Sequence, residues 1–331
     1  MTLYTFDQGW TAAVDAIGPH DVTDLAISPD GHVYVLTRYP SAVHVFSLTG
    51  DTVGSWESPE LTAKPHGITV GDDGSLFVVL QDDCTVKRFS MTGALLGVIG
   101  ESGHAADSGM DGSAVNLHER IRSITRAAGP FNNPTSLAIG PTGELYVSDG
   151  YGNARVHRFS ADGELLGSWG SPGSGQGEFR LPHGVLVTSS GEVLVADREN
   201  DRVQSFTLEG DYLGEWGDVR RPTALAEDGD GRIYVTEFPR PQGWPSFTHG
   251  PTEMETAGGV SIFDADGHLV QRLCWPEAPV AMLAPHGVSV AGDGRIFVAE
   301  VAASFVRGRR TVEDYRWREP DICSLRVFVP T

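Results

Sequence analysis

The sequence predicts an all-β fold: a six-bladed β-propeller of four-stranded antiparallel blades, its ring closed by the N-terminal strand. Three observations predict it. One unit recurs six times between residues 24 and 301. The recurrences are spaced as four-stranded blades are spaced. Three Pro-His-Gly triplets, Pro65-His66-Gly67, Pro182-His183-Gly184 and Pro285-His286-Gly287, fall at one register position in every second copy.

Each unit is a short apolar run, a turn ending in Gly, a second apolar run and a polar or acidic exit. The copies are DLAISPDGHVYVLTR (24–38), GITVGDDGSLFVVLQ (67–81), SLAIGPTGELYVSDG (136–150), GVLVTSSGEVLVADR (184–198), ALAEDGDGRIYVTEF (224–238) and GVSVAGDGRIFVAEV (287–301). Alternating Val, Ile, Leu and aromatic residues around a Gly turn signal a β-hairpin. A third strand follows in most copies, as in VHVFSLTG (43–50) and VQSFTLEG (203–210), and a fourth ends near Trp, as in LLGSWG (165–170). The turn glycines Gly31, Gly74, Gly143, Gly191, Gly231 and Gly294 are 43, 69, 48, 40 and 63 residues apart. The two long gaps hold insertions near 101–128 and 239–258. The last copy ends at LRVFVP (325–330) without a fourth strand, and LYTFDQGW (3–10) is positioned to supply it. A repeat that spans the chain argues for one domain over 1–331, and closing the ring leaves no open sheet edge.

Eight residues before each turn glycine stand Thr23, His66, Thr135, His183, Thr223 and His286, so Thr and His alternate around the ring. The position precedes the innermost strand, where a side chain reaches the central channel. In a six-copy ring the histidines lie about 120° apart around one axis. A single Pro-His-Gly turn is explained by a histidine bonding backbone. Three in register with alternating threonines point instead to a tripod of metal ligands. Zinc in a catalytic site takes three protein ligands and keeps one position open, with imidazole a common donor. Iron, cobalt or manganese would fit the same donors. Arg38 and Arg198 follow the second strands of copies one and four, and Tyr151 that of copy three. Antiparallel pairing brings the end of strand two beside the start of strand one, so these residues share a face with the histidines. Gln81, Glu237 and Glu300 share that rim, and Asp149 and Asp197 are read as loop organisers.

The formal net charge of −20 disfavours nucleic acid, because phosphate binding needs a basic face; only Arg307, Arg309 and Arg310 interrupt the acidity. No segment reaches membrane-spanning length. The N-terminus has neither a basic start nor a long apolar stretch, and the three cysteines form no CxxC pair. These features read as a cytoplasmic protein without a disulfide framework.

The motifs SDGYGNARVHRFS (148–160), GSPGSGQGEFRLPHG (170–184) and ADRENDRVQSF (196–206) resemble the peptidyl-α-hydroxyglycine α-amidating lyase domain, a six-bladed propeller of NHL-type repeats. The resemblance covers essentially all the blades. It implies zinc on His66, His183 and His286, a catalytic tyrosine at Tyr151, and catalytic arginines at Arg198 and Arg38. It implies a C–N lyase for an α-hydroxylated, carboxylate-bearing small molecule. Several positions depart from the family. Ala284 stands where the family has Met, with Met282 nearby. Gly287 stands where the family has an Asp that contributes to a structural calcium, which puts calcium in doubt here; Asp24 occupies the equivalent place in copy one and could replace that carboxylate. Gly152 and Ser205 stand where the family has disulfide cysteines, which fits a reducing compartment. A hydrolase or hydratase using metal-bound hydroxide on the same three histidines, and a non-enzymatic interaction platform, are competing readings.

Overall fold

The computed structural model describes residues 2–18, 20–274, 282–308 and 323–331. Arg309 and Arg310 fall outside them, as does the side chain of Arg307. Six four-stranded antiparallel sheets form the ring, five of them ordered from the axis outward as in the sequence and the sixth completed on its outer edge by the N-terminal strand. The innermost strands are Val22–Ile27, Pro65–Val70, Pro134–Ile139, Pro182–Val187, Pro222–Glu227 and Pro285–Val290, in blades one to six. The second strands are buried almost throughout, which is why they read as continuous apolar runs; in blade four, Val193–Asp197 is buried at every position. The outermost strands leave Leu95, Leu96, Leu165, Leu166 and Leu213 exposed. All six repeat-turn glycines adopt φ between 73° and 91°, the left-handed region in which only glycine is unstrained.

The ring closes as expected. Tyr4–Phe6 pairs antiparallel with Leu325–Pro330 and completes blade six. Trp10 follows, fully buried, with its ring against Phe46 of blade one and Phe297 of blade six, while its Nε1 donates to the Leu48 carbonyl. Burying an indole of this size contributes roughly 2–3 kcal/mol across the seam where the chain ends meet.

A cluster of buried apolar side chains fills each seam between neighbouring blades. The axis itself is an open channel. Along it lies a cavity of about 890 Å³ lined by the innermost strands, from Asp24 round to Val290. Both insertions lie in their expected places. The first carries a short helix, α1 here, at Leu117–Ser123, capped by the Asn116 side chain. The second is irregular, held by an Arg240–Thr256 bridge.

Candidate metal centre

Every innermost strand opens with a β-bulge at the Thr or His position. Pro65 pairs with Leu80 and Gly67 with Val79, leaving His66 unpaired; the same shift occurs at His183, His286, Thr23 and Thr135, and at Thr223 with Ala224. A bulge re-aims one side chain out of the sheet alternation. Here it turns the residue toward the axis. The residue before the Pro is held at positive φ in four blades: Lys64, Asn133, Leu181 and Arg221. Such non-glycine strain persists only where the surroundings over-determine it.

The three imidazoles form a near-equilateral triangle, with ring centroids 4.6, 4.7 and 4.9 Å apart. Each Nδ1–H donates to the carbonyl of the Thr in the next blade: His66 to Thr135 at 2.7 Å, His183 to Thr223 at 2.8 Å and His286 to Thr23 at 2.6 Å. This fixes the tautomer and leaves the Nε2 lone pair for the axis. The three ligand atoms lie within 4.8 Å of one another. His66 Nε2 is buried with no hydrogen-bond partner. Burial, then the neighbouring imidazoles and Arg38, hold His66 well below the usual histidine range; burial, then Arg38, push His286 down to about 3. His183 is likewise held low by burial, His286 and Arg198. Three neutral, oriented, convergent nitrogens with an orphaned lone pair fit a divalent transition metal.

The glycine after each histidine has a reason beyond the axis. A Cβ on Gly184 would lie 2.6 Å from the Thr223 carbonyl oxygen, and one on Gly67 3.0 Å from that of Thr135. The missing side chain lets the next blade come close enough for its Thr carbonyl to hold the imidazole.

Tyr151 and Arg198 converge with the triangle. The Tyr151 hydroxyl lies 3.2 Å from His183 Nε2, and Arg198 donates to it from 3.1 Å. Because His183 Nδ1 carries the ring proton, the tyrosine is the donor to Nε2. Gly150 permits this placement, since a Cβ there would lie 2.2 Å from the Pro182 carbonyl oxygen. Arg38 is 7 % exposed, its Nε has no partner, and its charge acts on all three histidines. All six expected residues therefore share one mouth of the channel.

The acidic rim residues do structural work, as read for Asp149 and Asp197. Asp149 accepts from Asn132 N, Asp197 from Arg180 N, and Glu300 from Leu283 N and Ala284 N, each clamping the loop that enters the innermost strand of its own blade. Glu237 accepts from Ser261 and faces Arg272 at 3.4 Å. Gln81 keeps a buried Oε1 without a partner. Met282 is buried in the core between blades five and six. Asp24 stands against Gly287, where a Cβ would meet its Oδ1 at 2.3 Å. Its two oxygens accept from Leu25 N and Ile68 N, so the carboxylate joins blades one and two.

Sequence reasoning missed the support behind Arg198. Arg198 Nε lies 3.3 Å from Glu199, which Arg221 holds at 2.6 Å. Burial pushes Glu199 up, but Arg221 and Arg198 outweigh it and hold the carboxyl below its usual range. Phe238 lies between the two guanidinium groups, 4.7 Å from Arg198 and 5.2 Å from Arg221. Glu199 within the ADREN motif was the available signal; Arg221 gave none, since its role depends on a neighbouring blade.

A six-bladed ring of four-stranded blades defines the class, a β-propeller, and the NHL repeat model matches the chain over residues 131–159 and 179–206. Within that class it is a distant homologue of the peptidyl-α-hydroxyglycine α-amidating lyases. It is 25 % identical to peptidyl-α-hydroxyglycine α-amidating lyase 2 of Drosophila melanogaster, over 92 % of this chain and 71 % of that protein. It is 30 % identical to NHL repeat-containing protein 3 of Homo sapiens, over 60 % of this chain and 55 % of that one. It is 31 % identical to peptidyl-glycine α-amidating monooxygenase A of Xenopus laevis, over 53 % of this chain. The match spans about half of the human protein and 16 % of the Xenopus one. Among solved structures, a gluconolactonase from Xanthomonas campestris superposes with a TM-score of 0.59 at 14 % identity, over 95 % of this chain and 87 % of that one. Virginiamycin B lyase from Staphylococcus aureus gives 0.56 at 12 %, over 99 % of each. These two likenesses speak for the fold alone.

Among the described residues the cysteines Cys84, Cys274 and Cys323 are free thiols, and no helix is long and apolar enough to cross a membrane.

Proposed function

We propose that the chain is a metal-dependent C–N lyase that splits an α-hydroxylated, carboxylate-bearing small molecule. The observation that carries this is the Tyr151 hydroxyl, hydrogen-bonded to both His183 and Arg198 at the edge of the three-histidine triangle. Homology to the amidating lyases supports it. His66, His183 and His286 would hold the metal, zinc being the expectation, through Nε2; on His183 the metal would replace the hydrogen bond from Tyr151 and leave that hydroxyl to the substrate. When bound, it would supply a Lewis acid that acidifies a substrate oxygen.

The chain's own residues do the rest. Arg198 donates to the Tyr151 oxygen and orients it, and we assign Tyr151 the task of taking the proton of the substrate hydroxyl. Arg38 has an uncommitted buried Nε and faces the same mouth, and we assign it the substrate carboxylate through a charge-assisted pair. As the hydroxyl oxygen becomes a carbonyl, the C–N bond breaks. Its electron pair leaves with nitrogen, which takes back one proton, giving an amide and a 2-oxo acid. Burial of the triangle excludes the water that would compete.

The test uses protein purified without affinity-tag metal. We expect about one transition metal per chain, and glyoxylate released from an N-acyl-α-hydroxyglycine. Tyr151→Phe should lower kcat by roughly 100-fold or more with metal content unchanged, since general-base losses are typically of that size. Full activity in Tyr151→Phe would move the reading to the metal-hydroxide hydrolase or hydratase. Failure to take up zinc, iron, cobalt or manganese would leave an interaction platform.

A further inference from the structure

The two insertions meet each other over the histidine-bearing face. His118, on α1 of the first, stacks on Phe247 of the second, with centroids 4.1 Å apart and planes 24° apart. Arg122, one turn along α1, donates to His118 Nε2 at 3.1 Å and lies 5.9 Å from the same phenyl ring. Arg180, three residues before His183, lies 5.2 Å from it. One phenyl ring is thus boxed by an imidazole and two guanidinium groups.

The box has more donors than acceptors. A guanidinium can only donate, so His118 Nε2 accepts and Nδ1 carries the proton. That Nδ1 is buried with no partner, and so is Arg180 Nε. Among the described residues no carboxylate lies within ion-pair distance of Arg122 or Arg180, in a chain of net charge −20. Arg122 is exposed and Arg180 half-buried, with its NH1 donating to the Ile121 carbonyl, so what asks for an acceptor is the pair of unpartnered buried donors, His118 Nδ1 and Arg180 Nε.

The box adjoins the centre described above. The Arg180 carbonyl accepts from Glu199 N at 2.9 Å, and the Leu181 carbonyl from Arg198 N at 3.1 Å. Any ligand gripped at the mouth therefore lies beside the seam between the insertions.

We infer that this seam is a second carboxylate-binding site, built by Arg180, Arg122 and His118, and that it selects dicarboxylate substrates. The inference rests on the proposed reading of the centre for its meaning, though not for its binding test. Binding a carboxylate there would also tie the first insertion to the loop before His183, since His118 and Arg122 lie on α1 and Arg180 on that loop.

The experiment is calorimetry on zinc-loaded protein with glycolate, malonate, succinate and glutarate. We expect at least one dicarboxylate to bind tenfold or more tightly than glycolate. Arg180→Gln should abolish that advantage while changing glycolate affinity less than twofold, and Arg122→Gln should reduce it. Thermal melting of both variants should match wild type, which excludes misfolding as the cause. The inference is overturned if no dicarboxylate exceeds glycolate by threefold, or if Arg180→Gln keeps the advantage. Failure of the central reading looks different: glycolate would not bind, or Arg38→Gln would leave its affinity unchanged. In that case, loss of dicarboxylate binding in Arg180→Gln still supports the seam, and its retention still overturns it.

Discussion

The odd and even blades of this ring share strands, turns and a bulge at the same position, yet they do different work. Blades two, four and six put His at the bulge and Gly after it. Blades one, three and five put Thr there, followed by Asp24, Ser136 and Ala224. The imidazole of each even blade is held by the Thr carbonyl of the next odd blade, and the even-blade Gly makes room for that approach. The contrast shows how a six-fold scaffold becomes a three-fold site. One set of blades supplies the imidazoles and the other supplies the backbone acceptors that orient them. The threonine hydroxyls have a separate task. Thr223 Oγ1 bonds Thr236 and the Pro285 carbonyl, and Thr135 Oγ1 bonds Ser148 and the Pro182 carbonyl.

The comparison can be broken most severely by making an even blade odd. His183→Thr leaves two imidazoles, and we expect metal content below a tenth of an equivalent, with affinity reduced about 1,000-fold or more. Mass spectrometry of the purified variant checks this. Next comes the spacing between the blades. Gly184→Ala forces a Cβ to 2.6 Å from a fixed carbonyl oxygen and should destabilise the fold by about 2–4 kcal/mol, read by urea unfolding. Gly67→Ala, at 3.0 Å, should cost less.

The odd-blade carboxylate gives a pH test. Burial pushes Asp24 up to about 7, and hydrogen bonds from Ile68 N and Leu25 N offset only part of that. Its folded-state pKa lies above its unfolded value of 3.8, so the native state binds the proton more tightly. The stability this gives is complete below about pH 4 and is lost as pH rises through 7. The loss is at most about 4 kcal/mol, and less where channel water screens the charge. Asp24→Asn should therefore flatten the stability curve between about pH 4 and 7, as measured by urea midpoints. A variant curve as steep as wild type would assign the slope to other groups. The smallest effect is expected from Thr223→Val. It removes a buried hydroxyl and about 1–2 kcal/mol of stability, but keeps the carbonyl that orients His183, so metal content should stay at one equivalent. Loss of metal there would show that the hydroxyl, too, orients the ligand.

Much of this was legible in the sequence because it depends on spacing along one chain. Period-two apolar runs, turn glycines at blade intervals and triplets in alternate copies fix the strands, the ring and the convergence of His66, His183 and His286. Tyr151, Arg198 and Arg38 followed from antiparallel adjacency within and between hairpins. The N-terminal strand was placed in blade six because an unpaired edge there would otherwise be exposed.

What the tertiary structure alone decided lies between blades or between insertions. The Thr135, Thr223 and Thr23 carbonyls hold the histidines from 69, 40 and 263 residues away. A main-chain acceptor leaves no mark in side-chain sequence, so no pattern could have revealed it. Glu199 meets Arg221, and His118 meets Phe247, because two irregular segments happen to pack in one place. Repeat spacing sets where each blade stands around the axis, but contacts across a seam depend on the packed shape of both neighbours, and that is settled only when the ring has closed.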